Sequence, residues 1–504
     1  MVGKNKIILK GVLMVSYILI FSILLFLISS LYTYLNTGAD RSKMLHTEIK
    51  KIDQYLPKIK WADNGNEGRE INDQTLKNIE NDYLDAWHVK HIANKTNSKD
   101  GISDYYTESA RENLFNFIAF NKEANTSIES TTLAHNTDIL FFSEDGNLVV
   151  LEDKNVIEYK KILNNNSMVL ETTEVSNYKI VLLLEDGFWR IRHLVKESAT
   201  EFDKTVPNKL MDSLNIKGIN YYPQATPWNM FGDDFDIDII KNDFKIITEA
   251  GLNTIRIFIP YEDFGKAKVR ETKLNKLKEF LDSAEQNGLK VVVTLFDFYG
   301  DYNVLDWTLN HRHAEKIVST FKNHNAIVAW DIKNEPNLDF DSRKRENVIS
   351  WLEHLIILIK SIDKNHPVTI GWSNVESAEI LKEKVDFVSF HYYEDLDDFE
   401  ESYDVLTSLI TNKPIVLGEF GASSYSGFWK PFGGSEEKQA TYYKEIQKII
   451  TKKKIPFMSW TLYDFEKVPK EVIGILPWQT NPQKKFGIIS KKGKKKLAFE
   501  FIAK

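Results

Sequence analysis

The 504-residue sequence contains no cysteine. That absence excludes a disulfide framework and any thiolate metal site, and it leaves the compartment open. A surplus of either charge is also missing: 65 Lys and Arg stand against 72 Asp and Glu, a net charge of -7. Nothing in that balance invites nucleic acid or an anionic membrane surface as a partner. No glycine-rich phosphate loop follows any strand-like run, so the common nucleotide sites are not indicated. Metal-ligand spacing is absent too, since His311-Arg312-His313 has no second cluster and the other histidines are scattered. No cofactor is called for. One long stretch, Gly11 to Ala39, lacks charge altogether and follows Lys4, Lys6 and Lys10.

That stretch is long enough to span a bilayer, which takes about 20 apolar residues as a helix. It exceeds the apolar core of a cleaved signal peptide, roughly 7–15 residues. The expectation is an uncleaved, single-pass anchor over 11–35, with a cytoplasmic N-terminus and the rest of the chain outside the cell membrane. Residues 40–72 are polar, mixed in charge, and read as a stalk. From 73 to 198 a helical pattern (Leu76, Ile79, Tyr83, Leu84, Trp87, Ile92) gives way to strands. Two apolar runs, broken by Asp145-Gly146 and Asp186-Gly187, carry a strong hairpin signal. Helices followed by an antiparallel meander imply an α+β fold. "YYTESAR" before the sheet and "GFWRIRHLV" closing it resemble the NTF2-like cone. That resemblance implies a ligand-holding cone, a homodimer contact or a spacer. No acid–histidine pair is evident in a place suited to chemistry, which favours a spacer or a dimer contact.

From 205 to 504 the rhythm changes. Eight short apolar runs recur: "NIKGINYY", "NTIRIFIP", "LKVVVTLFDF", "AIVAWDI", "HPVTIGW", "VDFVSFHYY", "KPIVLGEF" and "PFMSWTLYDF". Most are separated by amphipathic segments such as "TKLNKLKEFLDSAEQNG". Eight strands alternating with helices predict an α/β fold, a (β/α)8 TIM barrel of typically about 250 residues, over a doubly wound open sheet. In such barrels the active site is built at the C-terminal ends of the strands. Read in order, those ends supply Asn220 and Tyr221, Arg256, Asp297, Asn334 and Glu335, Trp372, His391 and Tyr393, Glu419, and Trp460. Carboxylates on the fourth and seventh strands face each other across such a mouth. Paired carboxylates flanking one bond are what glycoside cleavage requires, one protonated to donate and one ionised to attack.

"WDIKNEP" at 330–336, "FHYY" at 390–393, "LGEFG" at 417–421 and "SWTLYDF" at 459–465 resemble glycoside hydrolase family 5, the cellulase- and mannanase-like family of retaining (β/α)8 hydrolases. The resemblance implies Glu335 as acid/base and Glu419 as nucleophile. It implies Asn334 against the sugar 2-hydroxyl, Arg256 beside the nucleophile, His391 and Tyr393 lining the site, and Trp460 as the central sugar platform. Glu335 then needs a pKa raised toward the working pH, which an ionised Glu419 nearby would supply. Arg256 and Tyr393 would favour an ionised Glu419. The third strand ends "FDFYG", where many relatives place a histidine near the aspartate, so Asp297 is expected to supply part of that sugar contact. Trp228, Trp372, Trp429 and Trp478 stay open between sugar stacking and packing, Trp372 being counted with the site by its strand-end position. The terminal "SKKGKKKLAFEF" reads as a solvated turn before a last helix.

The reading is a membrane-anchored, retaining β-glycosidase, endo-acting on a β-linked polysaccharide of glucan or mannan type. Two alternatives stand beside it: a transglycosylase of the same mechanism, and a silent glycan-binding scaffold. Retention of both glutamates argues against the scaffold.

Overall fold

The computed structural model describes residues 14–29, 54–62, 65–209, 211, 213–427, 433–473 and 476–503. The chain divides into two units, Met1–Asp53 and Gln54–Lys504. In the first, residues 14–29 form a helix, with apolar side chains from Met14 to Ile28 exposed. Among the described residues no helix is long and apolar enough to cross a membrane. The span expected over 11–35 is therefore not found, and its two ends, like most of the expected stalk, lie outside the described residues.

The last part of that stalk belongs to a sheet instead. β1 (Lys58–Trp61) and β2 (Glu67–Gly68) both pair parallel with β3 (Thr126–Phe142). β4 (Leu148–Asn164), β5 (Ser167–Glu185) and β6 (Phe188–Glu201) continue as an antiparallel meander. Four residues of "KIKW" are too few for periodicity to separate a strand from a loop. The helix Asp73–Thr96 begins where the Asn72 side chain accepts from Thr75 N at 2.8 Å, and it buries Ile79, Tyr83, Ala86 and Trp87 against this sheet. Both Asp-Gly pairs turn the expected hairpins. Asp186 and Gly187 hold φ of 54° and 86°, the left-handed pair that a two-residue hairpin turn requires.

This α+β part also holds a buried acid–histidine pair. His135 Nδ1 lies 2.6 Å from Asp153 Oδ2, and His135 Nε2 lies 2.8 Å from Thr132 Oγ1. The Tyr83 hydroxyl also donates to Asp153 Oδ2, at 2.7 Å. An acid–histidine pair therefore exists, hidden from a sequence reading because its members sit on two paired strands. Both residues are fully buried, so the network serves packing.

β7 (Lys217–Asn220), β8 (Thr254–Pro260), β9 (Lys290–Asp297), β10 (Ile327–Asn334), β11 (Val368–Trp372), β12 (Val388–Tyr392), β13 (Ile415–Phe420) and β14 (Phe457–Trp460) close into a parallel barrel in that order. All eight expected strands are present. Their side chains are buried on both faces because helices wrap the outside. The helix Glu271–Gln286 shows how: Leu274, Leu277, Phe280, Leu281 and Ala284 recur at helical spacing and are all buried. The C-terminal segment ends in a 3-10 turn, Leu497–Phe501, rather than a full helix.

The α+β part packs on one flank of the barrel. Leu56 N donates to Thr308 Oγ1 at 3.0 Å, Lys95 Nζ to Asn303 Oδ1 at 2.7 Å and Lys161 Nζ to Asn347 Oδ1 at 2.9 Å.

Candidate active site

Strand register assembles the site. Asn220 stands beside both Arg256 and Trp460, Asn334 beside Gly371, and His391 beside Glu419. The ladder shifts by a bulge between Asp331 and Asn334 and again between Phe390 and His391. Bulges at a barrel rim re-aim side chains. Here they turn Asn334, Glu335 and His391 toward one another. Glu335 itself takes φ of 47°, the left-handed region that a non-glycine residue rarely occupies. Such a conformation costs on the order of 1–3 kcal/mol and persists where surrounding contacts impose it.

Arg256, 1 % exposed, is the hub. Its NH1 donates to Glu419 Oε1 at 2.6 Å and to Asn220 Oδ1 at 3.0 Å. Its NH2 donates to Asp331 Oδ2 at 2.6 Å and Asn334 Oδ1 at 2.8 Å, while Nε reaches the same Asp331 oxygen at 3.1 Å. Asp331 is fixed in turn by Thr294 Oγ1 at 2.7 Å and by the Gly371 amide at 3.0 Å. The guanidinium therefore bridges two carboxylates, and its plane is locked before any substrate arrives.

On the outer side, the Tyr393 hydroxyl donates to Glu419 Oε2 at 3.0 Å. Burial, with Glu419 and Glu335 beside it, holds that phenol well above its ordinary pKa, so it remains a donor. His391 Nδ1 lies 2.8 Å from Glu335 Oε1 and 3.7 Å from Glu419 Oε2. Its ring rests on two positions without side chains. A Cβ on Gly371 would come within 3.2 Å of His391 Nε2 and 2.7 Å of Arg256 NH2, and one on Gly418 within 3.3 Å of His391 Cδ2.

Glu335 departs from expectation. Burial works to raise its pKa, but the His391 hydrogen bond and charge, with Arg256 and Lys333 behind them, outweigh burial and hold it below the ordinary value. Repulsion from Glu419 was expected to dominate; the cations surrounding the pair reverse the sign. Asp297 behaves oppositely. Burial pushes it up to about 6, against the pull of Lys333, Arg256 and the Tyr222 hydroxyl.

These groups border a groove of about 640 Å3. Of the expected residues, Asp297, Asn334, Glu335, Tyr393, Glu419 and Trp460 line it. Asn220, Arg256 and His391 lie beneath its floor and touch the lining residues rather than the open space. Trp372 is not among the lining residues; it is 1 % exposed and packs 6.3 Å from the Phe340 ring. Of the tryptophans left open, Trp228 lines the groove, Trp478 does not, and Trp429 lies outside the described residues. Three contributors went unnamed in the sequence reading. Asp331 stands three positions before Asn334, which on a regular strand would face the other way, and only the bulge between them brings both to Arg256. Tyr222 and Phe258 gave no signal beyond their strand-end places, yet their rings stack 5.3 Å apart in the groove wall.

One oxygen from each of Glu335 and Glu419 and a nitrogen of His391 lie within 4.8 Å of one another, a trio with metal-ligating atoms. Arg256 and Tyr393 already donate to the two Glu419 oxygens. A guanidinium at that distance repels a dication, so the trio suits proton transfer better than metal binding.

The family Cellulase (glycosyl hydrolase family 5) matches residues 212–466, half of the chain. The chain is similar to a beta-glucuronidase of Chlorocebus aethiops, 25 % identical over 284 residues, which is 51 % of this chain and 40 % of that protein. It is similar to the mannan endo-1,4-beta-mannosidase A of Emericella nidulans, 21 % identical over 259 residues, which is 40 % of this chain and 67 % of that protein. Among solved structures, an exo-beta-1,4-mannosidase from Opitutaceae bacterium strain TAV5 superposes with a TM-score of 0.48 at 15 % identity, over 57 % of this chain and 58 % of that one. The chain thus spans 40 % of the length of the beta-glucuronidase it matches. By the matched region, and by the closed barrel it covers, this chain belongs to glycosyl hydrolase family 5.

Proposed function

We propose that this chain is a retaining β-glycoside hydrolase acting within a neutral β-linked polysaccharide of mannan or glucan type. The observation that carries the reading is the spacing of Glu335 and Glu419, whose nearest groups fall within 4.8 Å together with His391. Retaining enzymes hold their carboxyls about 5–5.5 Å apart, whereas inverting ones leave about 6.5–9.5 Å for a water.

In the first step Glu419, oriented by Arg256 and Tyr393, attacks the anomeric carbon. The bond to the leaving oxygen breaks, and that oxygen takes its proton from Glu335. In the second step Glu335 removes a proton from water, the resulting oxygen attacks the same carbon, and Glu419 departs as carboxylate. Asn334, held by Arg256, is the partner for the 2-hydroxyl, a contact that tightens in the transition state. Trp460 and Trp228 offer ring faces to the sugar. His391 orients the Glu335 carboxyl, and the hydrogen the two share is the reservoir from which Glu335 donates.

The walls favour a neutral sugar. Among the described residues, Asp297, Glu335, Asp339 and Glu419 line the groove, with Lys333 as the single cationic side chain. A uronate carboxylate would enter a groove with more acids than cations, Lys333 itself being paired with Asp339 at 3.3 Å. The mannan-directed relative, matched over 67 % of its length, and a groove with room for more than one ring support internal cleavage of a chain. The uncharged stretch 11–39 supports placement of the barrel outside the cytoplasmic membrane, tethered by its N-terminus, with the α+β part as an NTF2-like spacer.

The test is reducing-end release by residues 40–504 on a panel of β-mannans, β-glucans and xylans, with Glu335→Gln and Glu419→Gln in parallel. The roles separate by azide rescue: Glu419→Ala should return an α-glycosyl azide and Glu335→Ala a β-glycosyl azide. No release from any polymer, with binding intact, would move the reading to a scaffold. Release of longer chains rather than shorter ones would make it a transglycosylase.

A further inference from the structure

Two apolar side chains stand open in the catalytic groove and take no part in the chemical steps. Phe298 is 43 % exposed and Leu338 is 64 % exposed, and both line the groove. Phe298 follows the last residue of β9, and Leu338 lies in the 3-10 turn Pro336–Asp339 that follows β10 and Glu335. Apolar residues exposed singly are ordinary on an outer surface. These two share a concave site with the catalytic carboxylates instead.

The backbone brings the phenyl ring there. Phe298 has φ of 59°, an outlying conformation for a bulky side chain. Successive residues of a regular strand face opposite ways. Here the left-handed turn lets Asp297 and Phe298, neighbours in sequence, both reach the groove. A glycine would take that angle without strain, yet the position carries a ring.

A polar edge adjoins it. Lys333, 6 % exposed, lies 3.3 Å from Asp339 Oδ2, and Asp339 also accepts from the Tyr302 hydroxyl. The other contact of Lys333 Nζ, to the Asn334 carbonyl, is 3.3 Å as well. Charge-assisted hydrogen bonds close to about 2.7–2.9 Å when fully made, so the ammonium keeps donor capacity for a ligand. Lys333 is also the foremost charge acting on Asp297, the residue next to Phe298. The ends of β9 and β10 thus present a ring, an apolar side chain and a donor–acceptor pair to one space.

We propose that Phe298 is the platform of a second sugar subsite, with the Lys333–Asp339 pair as hydrogen-bond partners for the hydroxyls of that sugar. The inference rests on the glycosidase reading and extends it from one bound ring to two. A pyranose in a β-linked chain has an apolar face of C–H groups and a rim of hydroxyls. The phenyl ring suits the face, and a paired cation and carboxylate supply one donor and one acceptor for the rim without selecting a charged sugar. Trp460 and Trp228 serve the sugar whose bond breaks. Phe298 holds its neighbour, equally before and during the reaction, so it acts on KM and on the register of the chain rather than on kcat.

The test uses the full chain with mannohexaose, cellohexaose and laminarihexaose, each labelled at the reducing end with heavy oxygen so that mass spectrometry reports the bond cut. Phe298→Ala should raise KM by about tenfold on the hexaose that the wild type cleaves, with kcat within about threefold. It should also change the preferred bond, because a chain that loses one subsite slides. Phe298→Tyr, which keeps the ring, should stay within about threefold of the wild type in KM. Lys333→Met, which removes the donor, should raise KM about fivefold. Cooperative thermal unfolding of the variants reports that they fold. Cleavage of none of the hexaoses by the wild type would refute the glycosidase reading, and this inference with it. Cleavage by the wild type refutes the subsite alone if Phe298→Ala keeps both KM and the preferred bond, if Phe298→Tyr loses as much as Phe298→Ala, or if Lys333→Met keeps the wild-type KM.

Discussion

Asp297 offers a quantitative handle on the site. It lines the groove at 7 % exposure, and its carboxyl is raised from 3.8 to about 6 by burial. The nearest hydroxyl, that of Tyr222, is 3.4 Å away, a weak contact that does little to repay the lost water. The sign of the consequence follows from which state binds the proton more tightly. The folded chain keeps the proton to about pH 6 and the unfolded chain releases it near pH 4, so stability is full below the lower value and falls as pH rises through the upper one. A difference of about two units, at 1.36 kcal/mol each, is about 3 kcal/mol. Asp297→Asn keeps the shape and removes the titration. The variant should match the wild type near pH 4 and exceed its stability by up to about 3 kcal/mol above pH 7. The assay is urea unfolding of both proteins, followed by tryptophan fluorescence, in steps from pH 4 to pH 8. A stability difference that stays flat over that range would refute the argument, since it would mean that Asp297 ionises as easily folded as unfolded.

Three further outcomes follow from the same contacts. His391→Phe removes the largest influence that holds Glu335 down and leaves burial opposed only by Arg256 and Lys333, so the alkaline limb of the kcat/KM profile should move to higher pH; an unmoved limb would contradict the assignment. Tyr393→Phe deletes one hydrogen bond to a carboxylate, of the kind worth about 1.5–3 kcal/mol, and should lower kcat/KM by roughly 10–100-fold while the chain still unfolds cooperatively. Gly371→Ala brings a methyl within 2.7 Å of Arg256 NH2; the chain should fold, as far-UV circular dichroism would show, and lose about a hundredfold in kcat, as expected for misplaced catalytic groups.

Much of this was legible in the chain alone. A strand buried on both faces must read as an unbroken apolar run, and an amphipathic helix as a repeat near 3.6, because burial is local to each element. Those two patterns are enough for eight strands, their helices and the carboxylates at their ends. The Asp-Gly turns follow as directly, from the backbone angles that such turns demand.

The tertiary structure decided the rest. Arg256 meets Asp331 across 75 positions and Glu419 across 163, and no periodicity records which partner a strand-end cation will choose. Whether Asn334, Glu335 and His391 converge depends on bulges in the ladder, which shift one residue and leave no mark in the pattern. The depressed pKa of Glu335 is a balance of burial against His391, Arg256 and Lys333, groups brought together only when the barrel closes. Trp372 and Trp228 look alike in sequence, yet one packs behind the loop and the other faces the groove. Sequence thus determined the eight barrel strands and the residues at their ends; closure of the barrel decided which of those ends touch, because electrostatics and hydrogen bonding depend on distances that only the fold sets.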